Sequence, residues 1–212
     1  MPNHITNILT IDGPLGRVKE IYKAISPAGA PPAEGEAAEQ PEIDSPFKPA
    51  SRKELAVRMK DLEEIDFAKI IPPPEGEYDS YNWNIANWGT KWNAYDQEKT
   101  DANTLVFNTA WAMPEPVIRA LSEMFPDVTV KIKWADEDFA SNCGEIHYEG
   151  GREVFTDIPE DQSKEAYELA FSILGGEDMY TWDEEKGTYV YNESKLAAKD
   201  LLGRLKGVTV NG

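Results

Sequence analysis

Three tryptophans, Trp83, Trp88 and Trp92, fall within ten residues, interleaved with Asn82, Asn84 and Asn87 and followed by Asn93. Lys91 is the only base between Pro72 and Asp96. Indole faces and amides of this kind can stack on, and hydrogen-bond to, a base, a sugar or a peptide. Trp88 and Trp92 stand four apart, a spacing that places both on one face if the segment is helical. Gly89 between them leaves room for a neighbouring backbone. A plainer use competes with this one. Tryptophan buries so much apolar area that these rings are expected mainly to fill a core, their N–H groups satisfied by asparagine or backbone. The ligand-binding alternative is a small-molecule pocket, or an enzyme's, bordered by Trp88, Lys91, Trp92 and Trp111.

Cys143, Glu145, His147 and Glu149 recur at period two, the spacing of one strand face, and offer thiolate, carboxylate and imidazole to a metal. Same-face neighbours on a strand lie about 7 Å apart, too far for all four to reach one ion. Lys131 and Lys133 alternate in the preceding segment and are expected on the same open face, where cross-strand charge pairing accounts for the pattern. No metal site is assigned. Cys143 is a poor nucleophile among acids, which raise a thiol's pKa. The chain has no Gly-x-Ser-x-Gly elbow, and Gly13-Pro14-Leu15-Gly16 lacks the spacing and lysine of a phosphate loop. No catalytic residue and no cofactor are assigned, and the reading favours a non-enzyme.

Acidity is the third signal. Against 21 Lys and Arg stand 39 Asp and Glu, a formal charge of −18, so binding that relies on neutralising phosphates is disfavoured. Residues 135–161 hold nine acids against one arginine, and residues 27–50 hold five acids against one lysine. Asp136, Glu137 and Asp138 form the densest run. Such a surface keeps a protein soluble; it can also present carboxylates as duplex DNA presents phosphates, and so engage a protein that handles DNA.

The elements that must position these residues follow from periodicity. Asn7–Ile11 reads as a strand, and Val18, Ile21, Tyr22 and Ile25 as one face of a helix. Six prolines between Pro27 and Pro49 mark a solvated excursion. Ser51-Arg52-Lys53-Glu54 is a capping box opening a second helix. Asp66–Ile71 reads as a strand closed by three prolines. Leu105–Phe107 then predicts a strand, Pro114 to Phe125 a helix, and Val128 to Trp134 an alternating strand followed by one over Glu145–Glu149. The last fifty residues predict a helix carrying Tyr167, Phe171 and Leu174, a hairpin around Asp183–Gly187, and a final helix marked by Leu201, Leu202 and Leu205. The sum is an α+β fold: an antiparallel sheet with helices on one face, plus a C-terminal helix-hairpin-helix. Residues 1–150 form the core with its excursion at 27–50; residues 151–212 form an extension packed on the same domain.

Several blocks carry a family resemblance: Met1–Asn7, Asp66–Pro74, Tyr81–Ala94 with its string Asn87-Trp88-Gly89-Thr90-Lys91-Trp92, and Phe107–Pro114 with the helix to Asp127. In order and wording they resemble the YubB-like family carried by bacterial plasmids and phages. The resemblance implies a ferredoxin-like core and a phage, plasmid or prophage source, and it brings no catalytic residues with it. With 41% hydrophobic residues, one cysteine, no apolar run near 18 residues and no leader-like start, the chain is expected to be a folded protein of a bacterial host's cytoplasm, off the membrane. Its expected role is non-catalytic, engaging a host DNA-handling or defence protein through acidic surface. RNA binding on the open sheet face ranks last, because the residues expected there, Lys131, Lys133, Glu145 and His147, include no aromatic platform.

Overall fold

The computed structural model describes residues 3–27, 65–75 and 80–192. Most of the excursion at 27–50, the helix expected from Ser51 and the final helix at Leu201–Leu205 lie outside the described residues.

Strand β1 (His4–Asp12) alternates buried and half-buried positions, with Ile5, Leu9 and Ile11 on the covered face. Helix α1 (Leu15–Ile25) follows and buries the stripe Val18, Ile21, Tyr22 and Ile25, the i, i+3, i+4, i+7 spacing of an amphipathic helix. Asp66–Ile71, read above as a strand, is instead capped by its own aspartate: Asp66 Oδ1 accepts the Ala68 N–H at 3.0 Å and opens a single turn, α2 (Phe67–Ile70). Its two buried side chains, Phe67 and Ile70, are three apart, a helical spacing that short apolar runs do not distinguish from a strand. Helix α3 (Tyr81–Trp88) carries the tryptophan segment.

The second strand of the core is one the sequence hid. β2 (Tyr95–Asp101) is a polar edge strand, exposed at every other position. It pairs with β3 (Thr104–Ala110), which alternates cleanly with Leu105 and Phe107 inward. Helix α4 (Glu115–Met124) buries Val117, Ile118 and Leu121, and β4 (Thr129–Asp136) buries Val130, Ile132 and Trp134. β5 (Gly144–Glu149) and the exposed edge strand β6 (Arg152–Asp157) continue the sheet as a meander.

All pairings are antiparallel and the order is β2-β3-β1-β4-β5-β6. The unit β1-α1-β2-β3-α4-β4 with order β2-β3-β1-β4 is the ferredoxin-like arrangement, and β5 and β6 extend it. The main core lies between the inner sheet face and α1, α2, α3 and α4. Helix α5 (Lys164–Leu174) packs instead on the opposite face at one end, setting Ala166 and Ala170 against Ala135 and Cys143. The hairpin β7 (Tyr180–Asp183) and β8 (Thr188–Tyr191) adds Tyr180 and Tyr189 to this second cluster.

Candidate functional site

Each residue of the string Asn87–Trp92 has a separate task. Asn87 Nδ2 donates to the Trp83 carbonyl at 2.9 Å and closes the last turn of α3. Trp88 is 1% exposed, packs edge-on against Phe67 and Trp83, and donates its indole N–H to the Ile71 carbonyl at 2.9 Å. It therefore belongs to the core and borders no open site. Gly89 ends the helix in the left-handed region, φ 76°, and a Cβ there would stand 2.9 Å from Pro116. The chain turns at this glycine, so Trp92 lies beyond the helix and does not share a helix face with Trp88.

Thr90 then ties the turn to the sheet. Its hydroxyl donates to the Ala110 carbonyl at 2.8 Å and accepts the Ala110 N–H at 3.1 Å, both bonds buried. Asn84 Nδ2 holds the Lys91 carbonyl at 3.0 Å. Clamped on both sides, Lys91 is set beside the residue that follows Ala110, which is Trp111.

Trp111 is the exceptional residue of this region. Its backbone is left-handed, φ 72°, a conformation uncommon outside glycine and strained for a bulky side chain. Two asparagines hold it there: its N–H donates to the Asn3 carbonyl at 3.0 Å, and its carbonyl accepts from Asn142 Nδ2 at 3.3 Å. The residue nevertheless stays 45% exposed. Lys91 Nζ sits 4.7 Å from the centre of the Trp111 ring, 4.9 Å from Trp92 and 5.5 Å from Tyr81. Tyr81 and Trp111 meet edge to face at 6.3 Å. Three ring faces thus converge on one ammonium group at distances where the ring quadrupole attracts a cation. Tyr81, also exposed, opens α3 and was not singled out in the sequence; it is the aromatic that begins the same segment.

The arrangement continues sideways. Trp92 touches Tyr95 edge-on at 6.3 Å, and the Tyr95 hydroxyl lies 2.6 Å from His4 Nδ1. Burial, and then the charges of Asp96 and Glu137, push the Tyr95 phenol above its ordinary pKa, so it stays neutral at physiological pH.

The acidic run divides in two. Asp136 is 5% exposed: one carboxylate oxygen accepts from Asn3 Nδ2 and the Asp138 N–H, the other from Asn142 Nδ2. It organises the loop that anchors Trp111 and presents no charge to solvent. Glu137 and Asp138 are exposed, and Glu137 accepts the His4 N–H at 3.1 Å. Exposed Asp161 accepts the Asn142 N–H, so three carboxylates rim the loop beside Trp111.

The period-two set also separates. Cys143 precedes β5 and is buried under α5, its thiol pushed up to about 11 by burial and by the nearby Asp161 and Asp157. Glu145 and His147 do share the open face, where Lys133 Nζ meets Glu145 at 2.9 Å and His147 Nε2 meets it at 2.7 Å. Lys131 pairs with Asp12 at 2.7 Å. Among the described residues no group of three or more His, Cys, Asp or Glu side chains could hold a metal ion. Phe155 stacks on His147 at 4.6 Å, an aromatic contact hidden from the sequence because β6 was not foreseen. Both lysines of this face are already neutralised by carboxylates, which leaves little net charge for a polyanion. No helix among the described residues is long and apolar enough to cross a membrane.

Residues 87–192 match the family described as "Ferredoxin-like domain in Api92-like protein", a span of half the chain. The chain belongs to this family. The Api92-like span takes in Lys91, Trp92 and Trp111, starts just after Tyr81 and α3's first turns, and runs through α5 and the hairpin. Among solved structures, a crystal structure of a protein api92 from Yersinia pseudotuberculosis is similar, at 11% identity and a TM-score of 0.41, covering 76% of this chain and 99% of that one. No curated protein matches the chain.

Proposed function

We propose that this protein is a non-catalytic binding protein that engages a basic protein partner through the Tyr81, Lys91, Trp92 and Trp111 patch and its acidic rim of Glu137, Asp138 and Asp161. One observation carries the reading: Trp111 is held in a strained backbone conformation by two asparagines, yet its ring is left at the surface. A ring needed only for packing would be covered, and strain of this kind concentrates where a residue serves recognition. Exposed aromatic anchors beside a charged rim are the composition of protein interfaces, where Trp and Tyr are among the residues that contribute most. The overall charge of −18 favours a basic partner and speeds the encounter. The resemblance of the Asn87–Trp92 string to proteins of plasmids and phages supports a partner on the bacterial host's side, a DNA-handling or defence protein.

The test is capture from bacterial lysate with the wild type and with Trp111→Gly, at low and at high salt. A basic protein should be retained by the wild type at low salt, released at high salt, and lost with Trp111→Gly. Equal capture by the two proteins, or capture indifferent to salt, overturns the reading.

A further inference from the structure

The three rings around Lys91 define a point in space, and that point has a chemistry of its own. Its distances of 4.7, 4.9 and 5.5 Å from the ring centres suit any ammonium group. Lys91 reaches it from a backbone fixed by Asn84 and by the Thr90–Ala110 clamp. Among the described residues no carboxylate pairs with Lys91, in a chain whose acids outnumber its bases by 39 to 21. Its partners are ring faces. Two of the three rings, Tyr81 and Trp111, are open to solvent, so the point can be approached from outside. Exposed Glu137, Asp138 and Asp161 border the loop whose Asn142 holds the Trp111 carbonyl, and their charge favours an incoming cation over an anion.

We infer that the rings of Tyr81, Trp92 and Trp111 form a cation cage for the side-chain ammonium of a lysine on the basic partner, and that Lys91 occupies this cage in the free protein and swings out when the partner binds. The inference rests on the reading of this patch as the recognition surface and adds its ligand chemistry and its self-competition. Lys91 is a tethered competitor: the fraction of time it spends in the cage lowers the apparent affinity for an external cation in proportion. Its four-carbon stem lets it leave without moving the clamped backbone.

The experiment replaces the partner by choline and reads the indole N–H signals of Trp92 and Trp111 by NMR in the full chain. Choline's neutral carbon isostere, 3,3-dimethylbutanol, separates cation–ring attraction from simple apolar contact. Lys91→Ala should bind choline about tenfold more tightly than the wild type, with the isostere binding to neither, and adding Trp111→Gly should remove the gain. Lys91→Gln, which keeps most of the stem and removes the charge, supplies the same comparison should the alanine variant fold poorly. Choline binding unchanged by removal of Lys91, or matched by the isostere, overturns the cage. The two readings fail separately. Partner capture that depends on Trp111, without tighter choline binding in Lys91→Ala, sinks the cage alone; tighter choline binding with capture indifferent to Trp111 sinks the proposed partner surface.

Discussion

Trp88 and Trp111 are the same residue type put to opposite uses, and the difference can be measured. Trp88 fills the core and satisfies its indole N–H on the Ile71 carbonyl, so Trp88→Ala leaves a large cavity and an unpaired carbonyl. That substitution should cost about 3–5 kcal/mol. Trp111 is 45% exposed, so it has less packing to lose than Trp88, and it stands where glycine is the unstrained choice. Relief of the left-handed backbone offsets the entropy that glycine adds to the unfolded chain and part of the packing lost, so the unfolding free energy of Trp111→Gly, measured in urea, should fall by about 1–2 kcal/mol, well short of the Trp88→Ala loss. A loss as large as that of Trp88→Ala would make the Trp111 ring structural. The sequence showed the tryptophan cluster and favoured a core role for it, because ring size argues for burial; Trp88 is buried and Trp83 packs partly against the core, while Trp92 is half-buried and Trp111 exposed. It could not tell which ring stays outside, since that depends on a turn at Gly89 and on Asn3 and Asn142, both remote in sequence. Asp136 differs from its sequence expectation for a related reason: charged residues are mostly exposed, and only the converging asparagine amides show why this one is buried.

Elements were legible where burial is one-sided and hidden where it is not. β4 alternates Val130, Ile132 and Trp134 with Thr129, Lys131 and Lys133 because one face meets the core, and the sequence states this plainly. β2 reads Tyr-Asp-Gln-Glu-Lys-Thr-Asp because an edge strand with both faces partly wet needs few apolar residues; its identity comes from pairing with β3. The pairing of β4 with β5 carries a testable charge. Burial raises the Glu145 pKa, but hydrogen bonds from Lys133 and His147 outweigh it and leave the carboxyl below its ordinary value of 4.5. A depressed carboxylate stabilises the fold fully above its unfolded pKa, and that share is lost as pH falls through the lower folded value. Lys133→Met removes the leading favourable contact and leaves only the His147 contact to oppose the burial of Glu145. The variant should therefore be less stable than the wild type by about 1 kcal/mol at pH 7. The gap should close as pH drops below 4.5, followed by thermal unfolding across the acid range. A gap independent of pH would show that Lys133 acts through its stem and not its charge.

At the scale of the molecule, one sheet serves two apolar clusters. β4 turns Trp134 toward the main core and Ala135 toward α5, so adjacent residues of a single strand bind the two sides together. The contact with α5 is made of small residues: Ala166 and Ala170, both fully buried, lie against Ala135 and Cys143, which lets the helix approach the sheet closely. Phe139, Tyr167, Phe171, Tyr180 and Tyr189 then stack around that contact and hold the hairpin to the helix. Close approach makes the interface intolerant of added volume or charge. Ala170→Glu would bury a carboxylate with no cation facing it in this cluster, at a cost of about 3–5 kcal/mol. Because β4 is shared, we expect that cost to be felt by the whole domain: amide exchange should speed up together in β1, at the sheet's centre, and in α5, at its far side. Exchange accelerated in α5 and the hairpin alone, with β1 unchanged, would instead make residues 164–191 a unit that opens on its own.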